Sequence, residues 1–441
     1  MLACFSGFIF LFIFSSTCNC TPTAAILGLK NLDTFFDERS RSVTNSHVFK
    51  ESMPSVSTRD DLQRLHRVHS EVVHEITFVI RQRNMERLTE MLHDISNPES
   101  RNYGQHLTRD QVTDMTINVE SRDAVLHYLS TSGLVVKHVS SGGEFVIAEA
   151  PITKLEKIFK TEFYHYEMSV ESGFNRAYVR AEKYSVPSEL DLHVESVLNI
   201  IEVPDFSHMP IMNPKLRSTS TSKAARGLRS GSFGTSQLGT LDPGVLKLFY
   251  NMSESASGSS KSTQMVYASI KQYFSPYDLK LFQTNTKTTV LAATSVGGHA
   301  SDIVCITDPS SCAEGNLDIQ YVMAMSPGSA TTFWYTDSEF TAFLVQVSSY
   351  VPLPLVITIS YGLDEIYVTK GAGDAFNMLA IKMNILGTTI LVSSGDDGAN
   401  SRKVRGNKIS NCGYMPSFPA TSPYVTAVGA TAVCCTCFLL N

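Results

Sequence analysis

Residues 387–398 read GTTILVSSGDDG, the pattern of a buried strand running into a tight turn. From Thr388 to Val392 every position is β-branched or apolar. That suits a strand covered on both faces, as in a parallel sheet. Ser393-Ser394-Gly395-Asp396-Asp397-Gly398 then breaks the strand with residues that accept sharp backbone turns. In an open α/β sheet, ligands are held at the carboxyl ends of the strands, so a carboxylate there is placed for chemistry. Alone, S-G-D-x-G also describes an ordinary Asx-type turn.

The surrounding pattern supports the sheet. Residues 275–282 predict a short capped helix, 288–294 a strand, and a helix beginning near Glu314 carries Leu317, Tyr321 and Met325. Residues 331–335 and 356–360 read as strands, 338–347 and 372–385 as helices. Strands alternating with helices imply a doubly wound parallel α/β sheet. The N-terminal half is of another kind. Val72, Ile76, Phe78 and Ile80 alternate as in a half-buried strand, while Met85, Leu88, Leu92 and Ile95 recur at helical spacing. Thr108-Arg109-Asp110-Gln111 has capping-box spacing, and residues 121–132 form a helical stretch stopped by Gly133. Ser140-Ser141-Gly142-Gly143 marks a hairpin, a helix follows Pro151, and residues 162–168 read as the last strand. The order predicts an antiparallel sheet of the ferredoxin-like α+β sort.

These patterns divide the 441 residues into five parts. Residues 1–20 read as a signal peptide, because the apolar run from Phe5 to Phe14 is too short to span a bilayer and small residues follow it, with cleavage near Cys18 or Cys20. Residues 21–65 are polar and show no clear element; 66–205 form the α+β unit, 206–240 a linker and 241–441 the α/β unit. The linker's basic run from Lys223 to Arg229 suits proteolytic nicking. With a net charge of −6, nothing favours nucleic acid or an anionic membrane as partner. The expected location is secretory, lumenal or extracellular.

Of the nine cysteines, Cys4, Cys18 and Cys20 leave with the signal, and Cys305 and Cys312 could close a small loop. No pair has the partner histidines or second C-x-x-C of a zinc site, so no metal centre is expected from them. Asn251-Met252-Ser253 is a glycosylation sequon in a chain routed for secretion.

Glu314 and Asp318 are four residues apart and share one helix face. Tyr321, Val322 and Met325 on that face are apolar enough to bury the pair, which would raise and couple the two carboxyl pKa values. Such a pair can move protons at acid pH, where histidine is fully charged. Acidic residues are also common in the first turn of any helix.

Six stretches taken in order resemble the sedolisin, or serine-carboxyl, peptidases. They are Asn97-Pro98-Glu99-Ser100-Arg101-Asn102-Tyr103-Gly104, residues 238–251, Glu314-Gly315-Asn316-Leu317-Asp318-Ile319-Gln320-Tyr321, Ile359-Ser360-Tyr361-Gly362, Ser394-Gly395-Asp396-Asp397-Gly398, and Phe418-Pro419-Ala420-Thr421-Ser422-Pro423-Tyr424-Val425. The resemblance implies a pro-kumamolisin-type activation domain, acting as an intramolecular inhibitor, ahead of a subtilisin-like peptidase domain. It also implies proteolysis of peptide substrates at acid pH and a lysosomal or secreted location. By motif position Glu314 is expected to be the general base, Asp318 its partner and Asp396 the oxyanion-hole residue. A carboxyl group donates a hydrogen bond only while protonated, which ties the Asp396 role to acid pH and a desolvated site.

The family's nucleophile lies in a Ser-Gly-Thr-Ser motif well beyond the oxyanion aspartate, and its calcium site lies in the same region. This sequence reaches Asn441 without that motif. Ser401, Ser410, Ser417 and Ser422 stand in other contexts, and Gly234-Thr235-Ser236 lies in the linker. The expectation is a truncated, inactive form with its calcium segment missing and an exposed apolar sheet edge that lowers solubility. A non-catalytic inhibitor or chaperone of a full-length peptidase is the alternative.

Overall fold

The computed structural model describes residues 46–54, 62–170, 174–203, 241–253, 258–259, 261–399 and 414–430. The signal peptide and the linker lie outside the described residues, and so do the cysteines other than Cys305 and Cys312.

In the C-terminal domain six strands form one sheet, in the order Thr294–Val296, Ala330–Tyr335, Thr263–Ala268, Val356–Ile359, Thr389–Ser393 and Thr426–Val428. Every neighbouring pair is parallel, as the alternation of elements predicts. Thr263–Ala268, a central strand buried from Gln264 onward, escaped the sequence reading. The predicted strand over 288–294 is corrected, since only Thr294–Val296 pairs. Ahead of it the Gln283 side chain takes over the backbone's hydrogen bonding, donating to Leu291 O at 3.1 Å and accepting from Leu291 N–H at 3.2 Å. A stretch satisfied by a side chain does not need a ladder.

Lys370–Ile385 is the crossover helix between two of the central strands. It starts at Thr369, whose hydroxyl accepts the Ala372 N–H, and is followed by Gly387 at φ 100°. Phe376 and Leu379 join the core of the sheet, while Ile381 and Ile385 pack with Leu88, Leu92 and Ile95 of the helix Met85–Ser96. One helix thus serves both domains.

The N-terminal domain has a four-stranded antiparallel sheet ordered Val135–Val139, Phe145–Pro151, Val73–Ile80, Val194–Leu198. With the helices Val119–Thr131 and Ile152–Phe159 it makes the expected ferredoxin-like arrangement, over a core that includes Phe78, Phe159 and Tyr184. Its fourth strand is Val194–Leu198, however, and not residues 162–168. Those belong to Phe163–Val170, which lies between Leu62–Arg67 and Phe174–Ala181 in a separate antiparallel sheet. A further correction concerns residues 21–65, read as lacking structure: His47–Ser52 pairs with Lys183–Pro187, and Leu62 opens an edge strand. Leu62–Arg67 is an edge strand with a paired backbone and largely exposed side chains, while His47–Ser52 is mostly half-buried without alternation, so no apolar periodicity betrays either.

Candidate active site

The helix Ala313–Met325 carries both candidate carboxylates in its first two turns. Its start is fixed from several sides. Cys305 and Cys312 are joined as a disulfide, which closes the loop immediately before Ala313. The Glu314 N–H donates to Gln272 Oε1 at 3.1 Å, and Asn316 Oδ1 accepts from Ser275 N–H at 2.8 Å. Asn316 also donates to Asp278 Oδ2 at 2.9 Å. Gly315 lies so close to the Tyr273 carbonyl that a Cβ would meet that oxygen at 2.3 Å. Only glycine fits there. The bond to Gln272 satisfies one of the N–H groups that a helix start leaves unpaired, and together these contacts hold the first turn against the loop that follows the central strand Thr263–Ala268.

Glu314 is 5% exposed. Burial pushes its carboxyl well above the ordinary range, and the charges of Asp318 and Asp396 push it further. Burial also raises Asp318, against a hydrogen bond from Ser360 that pulls it back. Asp318 as a residue is partly exposed, yet protein encloses its carboxyl group. Ser360 follows the strand Val356–Ile359 and donates its hydroxyl to Asp318 Oδ1 at 2.8 Å. Among the described residues Glu314 Oε2 is buried without a hydrogen-bond partner.

Asp396 stands in the turn after Thr389–Ser393, between Gly395 at φ 87° and Gly398 at φ 64°. Its charge reaches Glu314. The structure therefore brings the three carboxylates of the sequence reading to the same end of the sheet. Asp396 itself is exposed, unlike the desolvated site that its expected role requires. Tyr361, the residue after Ser360, is buried, and burial followed by the charges of Asp318 and Glu314 holds its phenol far above the ordinary value. It stays neutral and stacks edge-on to Tyr267, with ring centroids 5.3 Å apart.

The remaining serines contribute less. Ser422 is committed to Asn377 Oδ1 at 2.6 Å, and Ser401 and Ser410 lie outside the described residues. Asn251 is exposed and Asn251-Met252-Ser253 lies at the surface end of the helix Pro243–Phe249. Among the described residues no group of three or more His, Cys, Asp or Glu fits a metal ion. Nor is any helix among them long and apolar enough to cross a membrane.

Sequence reasoning missed the parts played by Ser360 and Gln272. Ser360 lies within one of the six quoted stretches, so its motif was visible while its contact was not. Gln272 had no signal at all, because its bond to Glu314 spans 42 residues of chain.

Residues 60–203 match the pro-kumamolisin activation domain. Tripeptidyl-peptidase 1 of Homo sapiens is 30% identical over 377 residues, which cover 81% of this chain and 61% of that protein. The Dictyostelium discoideum tripeptidyl-peptidase 1 is 28% identical over 393 residues, 80% of this chain and 61% of that protein. The chain thus spans about 61% of the length of these curated relatives. A Pseudomonas sedolisin (serine-carboxyl proteinase) structure aligns with 42% of this chain and 52% of its own, at 24% identity and a TM-score of 0.34. That last likeness is too weak to argue from.

Proposed function

We propose that this chain, a homologue of the tripeptidyl-peptidase 1 proteins with a pro-kumamolisin activation domain, belongs to the zymogen of an acid-acting serine-carboxyl peptidase. The observation that carries the reading is the buried Glu314–Asp318 pair at the carboxyl end of a parallel sheet, with Asp396 close enough for its charge to act on Glu314. Burying coupled carboxyls is costly for a fold and useful for proton transfer.

In this reading a serine Oγ attacks the scissile carbonyl carbon of a peptide and its proton passes to Glu314, whose Oε2 is open to it. The carbonyl π pair moves onto oxygen, where the protonated Asp396 carboxyl donates a hydrogen bond. Collapse breaks the C–N bond, and the amine leaves with the proton from Glu314. Water then repeats the sequence on the acyl-serine. Substrate lying over the turn would supply the desolvation that exposed Asp396 lacks. Tripeptide release from a free N-terminus is the substrate mode suggested by the relatives' name. Removal of the activation domain within residues 206–240 would open the site, and the lysosome or the exterior is the destination.

The reading needs a serine opposite Glu314 that no Ser-Gly-Thr-Ser motif supplies within residues 1–441. Peptide mapping of the native protein by mass spectrometry, looking beyond Val433, tests where it comes from. If the mapped protein continues into such a motif, it should turn over peptides and lose activity in Glu314→Gln and in Asp396→Asn. Retained activity in both variants defeats the site assignment.

The second reading is a non-catalytic inhibitor or chaperone of a full-length peptidase. Its support is an N-terminal domain with a core of its own that grips the crossover helix Lys370–Ile385. Mapped peptides ending at Asn441 would favour it, and the full chain should then inhibit an acid-activated relative at micromolar concentration, on the order of affinities that modest interfaces reach.

A further inference from the structure

Two carboxyls with one proton between them can divide it in two ways, and the direction of proton flow depends on which carboxyl ionises first. The groups that face the pair decide this. Glu314 and Asp318 face each other on Ala313–Met325, and Asp396 faces Glu314 from the turn after Thr389–Ser393. Ser360 and the neutral Tyr361 face Asp318 from the end of Val356–Ile359. Ser360 gives the pair a hydrogen bond, to Asp318 Oδ1 at 2.8 Å. Glu314 Oε2 has no such donor among the described residues.

We propose that Ser360 is a positioning residue for the carboxylate pair: its hydroxyl, donated to Asp318 Oδ1, makes Asp318 the member that ionises first and so the final acceptor of the proton that passes through Glu314. The asymmetry is physical. A hydrogen bond to an ionised carboxylate favours that form, and Glu314 has only burial and like charge, which both oppose ionisation. The singly protonated pair then holds its proton on Glu314. When a proton arrives at Glu314 Oε2, the proton already there moves to Asp318, and the pair ends with one proton on each carboxyl. The same bond holds the Asp318 carboxyl in one orientation, with Oδ1 occupied by Ser360. This deepens the peptidase reading and rests on it for the source of the arriving proton.

The test is a carboxyl titration of the full chain, with 13C-labelled Asp and Glu side chains followed by NMR and the pair's signals identified through Glu314→Gln and Asp318→Asn. In Ser360→Ala the lower of the pair's two apparent pKa values should rise by about one unit, and the upper should stay, because Asp318 is already ionised when the last proton leaves. Ser360→Thr, which keeps the hydroxyl, should restore the lower value. Should Ser360→Ala not fold, Ser360→Cys, a weaker donor, should give an intermediate rise. A rise in the upper value with the lower unchanged overturns the proposal, as does an unmoved titration or a failure of Ser360→Thr to restore it. No turnover is needed, so an absence of peptidase activity would count against the peptidase reading and leave this titration to be decided separately.

Discussion

Lys382 Nζ lies 2.7 Å from Glu144 Oε1, joining the crossover helix of the C-terminal domain to the hairpin turn ahead of Phe145–Pro151 in the N-terminal domain. Both side chains are nearly enclosed, at 6% and 12% exposed, and Lys382 also donates to Gln82 Oε1 at 2.8 Å. Burial pulls the lysine below its ordinary value in spite of the carboxylate. For Glu144, burial acts upward, but the Lys382 ammonium and the hydrogen bonds from Lys382 and Ser140 outweigh it and leave the carboxyl below its usual range. Such a pair adds little net stability when intact and costs much when half of it is removed.

Glu144→Gln should therefore lower the stability of the full chain by about 3 kcal/mol at pH 7, because Lys382 keeps its charge without a counter-ion. Since the Glu144 value is depressed, its contribution is present above the ordinary glutamate range and is lost as pH falls through the depressed value. Thermal unfolding from pH 7 down to about pH 3, roughly the carboxyl titration range, should show the gap between wild type and Glu144→Gln closing at the acid end. A gap that stays constant would reject this assignment.

Glu51 has the opposite sign. Its Oε1 accepts the Gly371 N–H at 2.7 Å at the start of the same helix, while its Oε2 is buried without a partner among the described residues. Burial, then the charge of Glu202, pushes its carboxyl up to about 7. A raised value means stability that is complete below the ordinary glutamate pKa and is lost as pH rises through about 7. Glu51→Gln should thus stabilise the closed chain at pH 8 by on the order of 2 kcal/mol and do nothing at pH 4. Limited proteolysis of the linker at the two pH values would read the difference. Mild acid alone should accordingly tighten this contact, and release should begin only where Glu144 titrates.

The buried carboxylates Glu314 and Asp318 should be a burden on the fold at alkaline pH. Both are raised, so their ionisation is opposed in the native state and is free in the unfolded chain. Glu314→Gln should melt higher than wild type at pH 9 and match it at pH 5, in calorimetric scans across that roughly bracketing range. Equal melting at both values would mean that the pair is not desolvated.

Removing the Cys305–Cys312 bond should loosen the start of the helix Ala313–Met325. The loop is short, with a separation of 7 residues, so the chain-entropy contribution is about 2 kcal/mol. The double variant Cys305→Ser/Cys312→Ser should lose that much in denaturant unfolding, and amide exchange should accelerate near Ala313 and Glu314 before it does in the central strands.

Gly315→Ala examines the same place by steric means. Its new Cβ would have to meet a backbone oxygen at 2.3 Å, so helix and loop must separate. The expected cost is about 2 kcal/mol, typical of overpacking. The measurable sign is a loss of the Glu314 and Asp318 pKa elevation as water enters. Unchanged carboxyl titration in a folded Gly315→Ala protein would show that the approach is not tight.

The sequence made the parallel sheet legible because buried strands such as Ala330–Tyr335 and Thr389–Ser393 are continuous apolar or β-branched runs bounded by turn residues. Glu314, Asp318 and Asp396 were legible for a different reason: helix periodicity put the first two together, and a strand-ending turn placed the third. What stayed hidden was long-range. Leu62–Arg67 has its backbone paired but its side chains mostly outward, so its membership in a sheet depends on a partner about a hundred residues away, which local pattern cannot supply. The same holds for Ser360, whose value lies wholly in reaching Asp318, and for the exposure of Asp396, which follows from how far its turn projects.

The crossover helix Lys370–Ile385 is held by the N-terminal part of the chain at its first turn through Glu51, near its last through Glu144, and at its end, where Leu107 N–H donates to Ile385 O at 3.0 Å. During synthesis the N-terminal domain leaves the ribosome first, with a core it can close alone. A parallel sheet forms slowly, because its strands must find partners across whole helical crossovers. By offering a finished surface to a helix that links two of the central strands, the earlier domain becomes a jig. It converts a search among distant strands into the docking of a single element, and the order of translation becomes part of how the later sheet acquires its register.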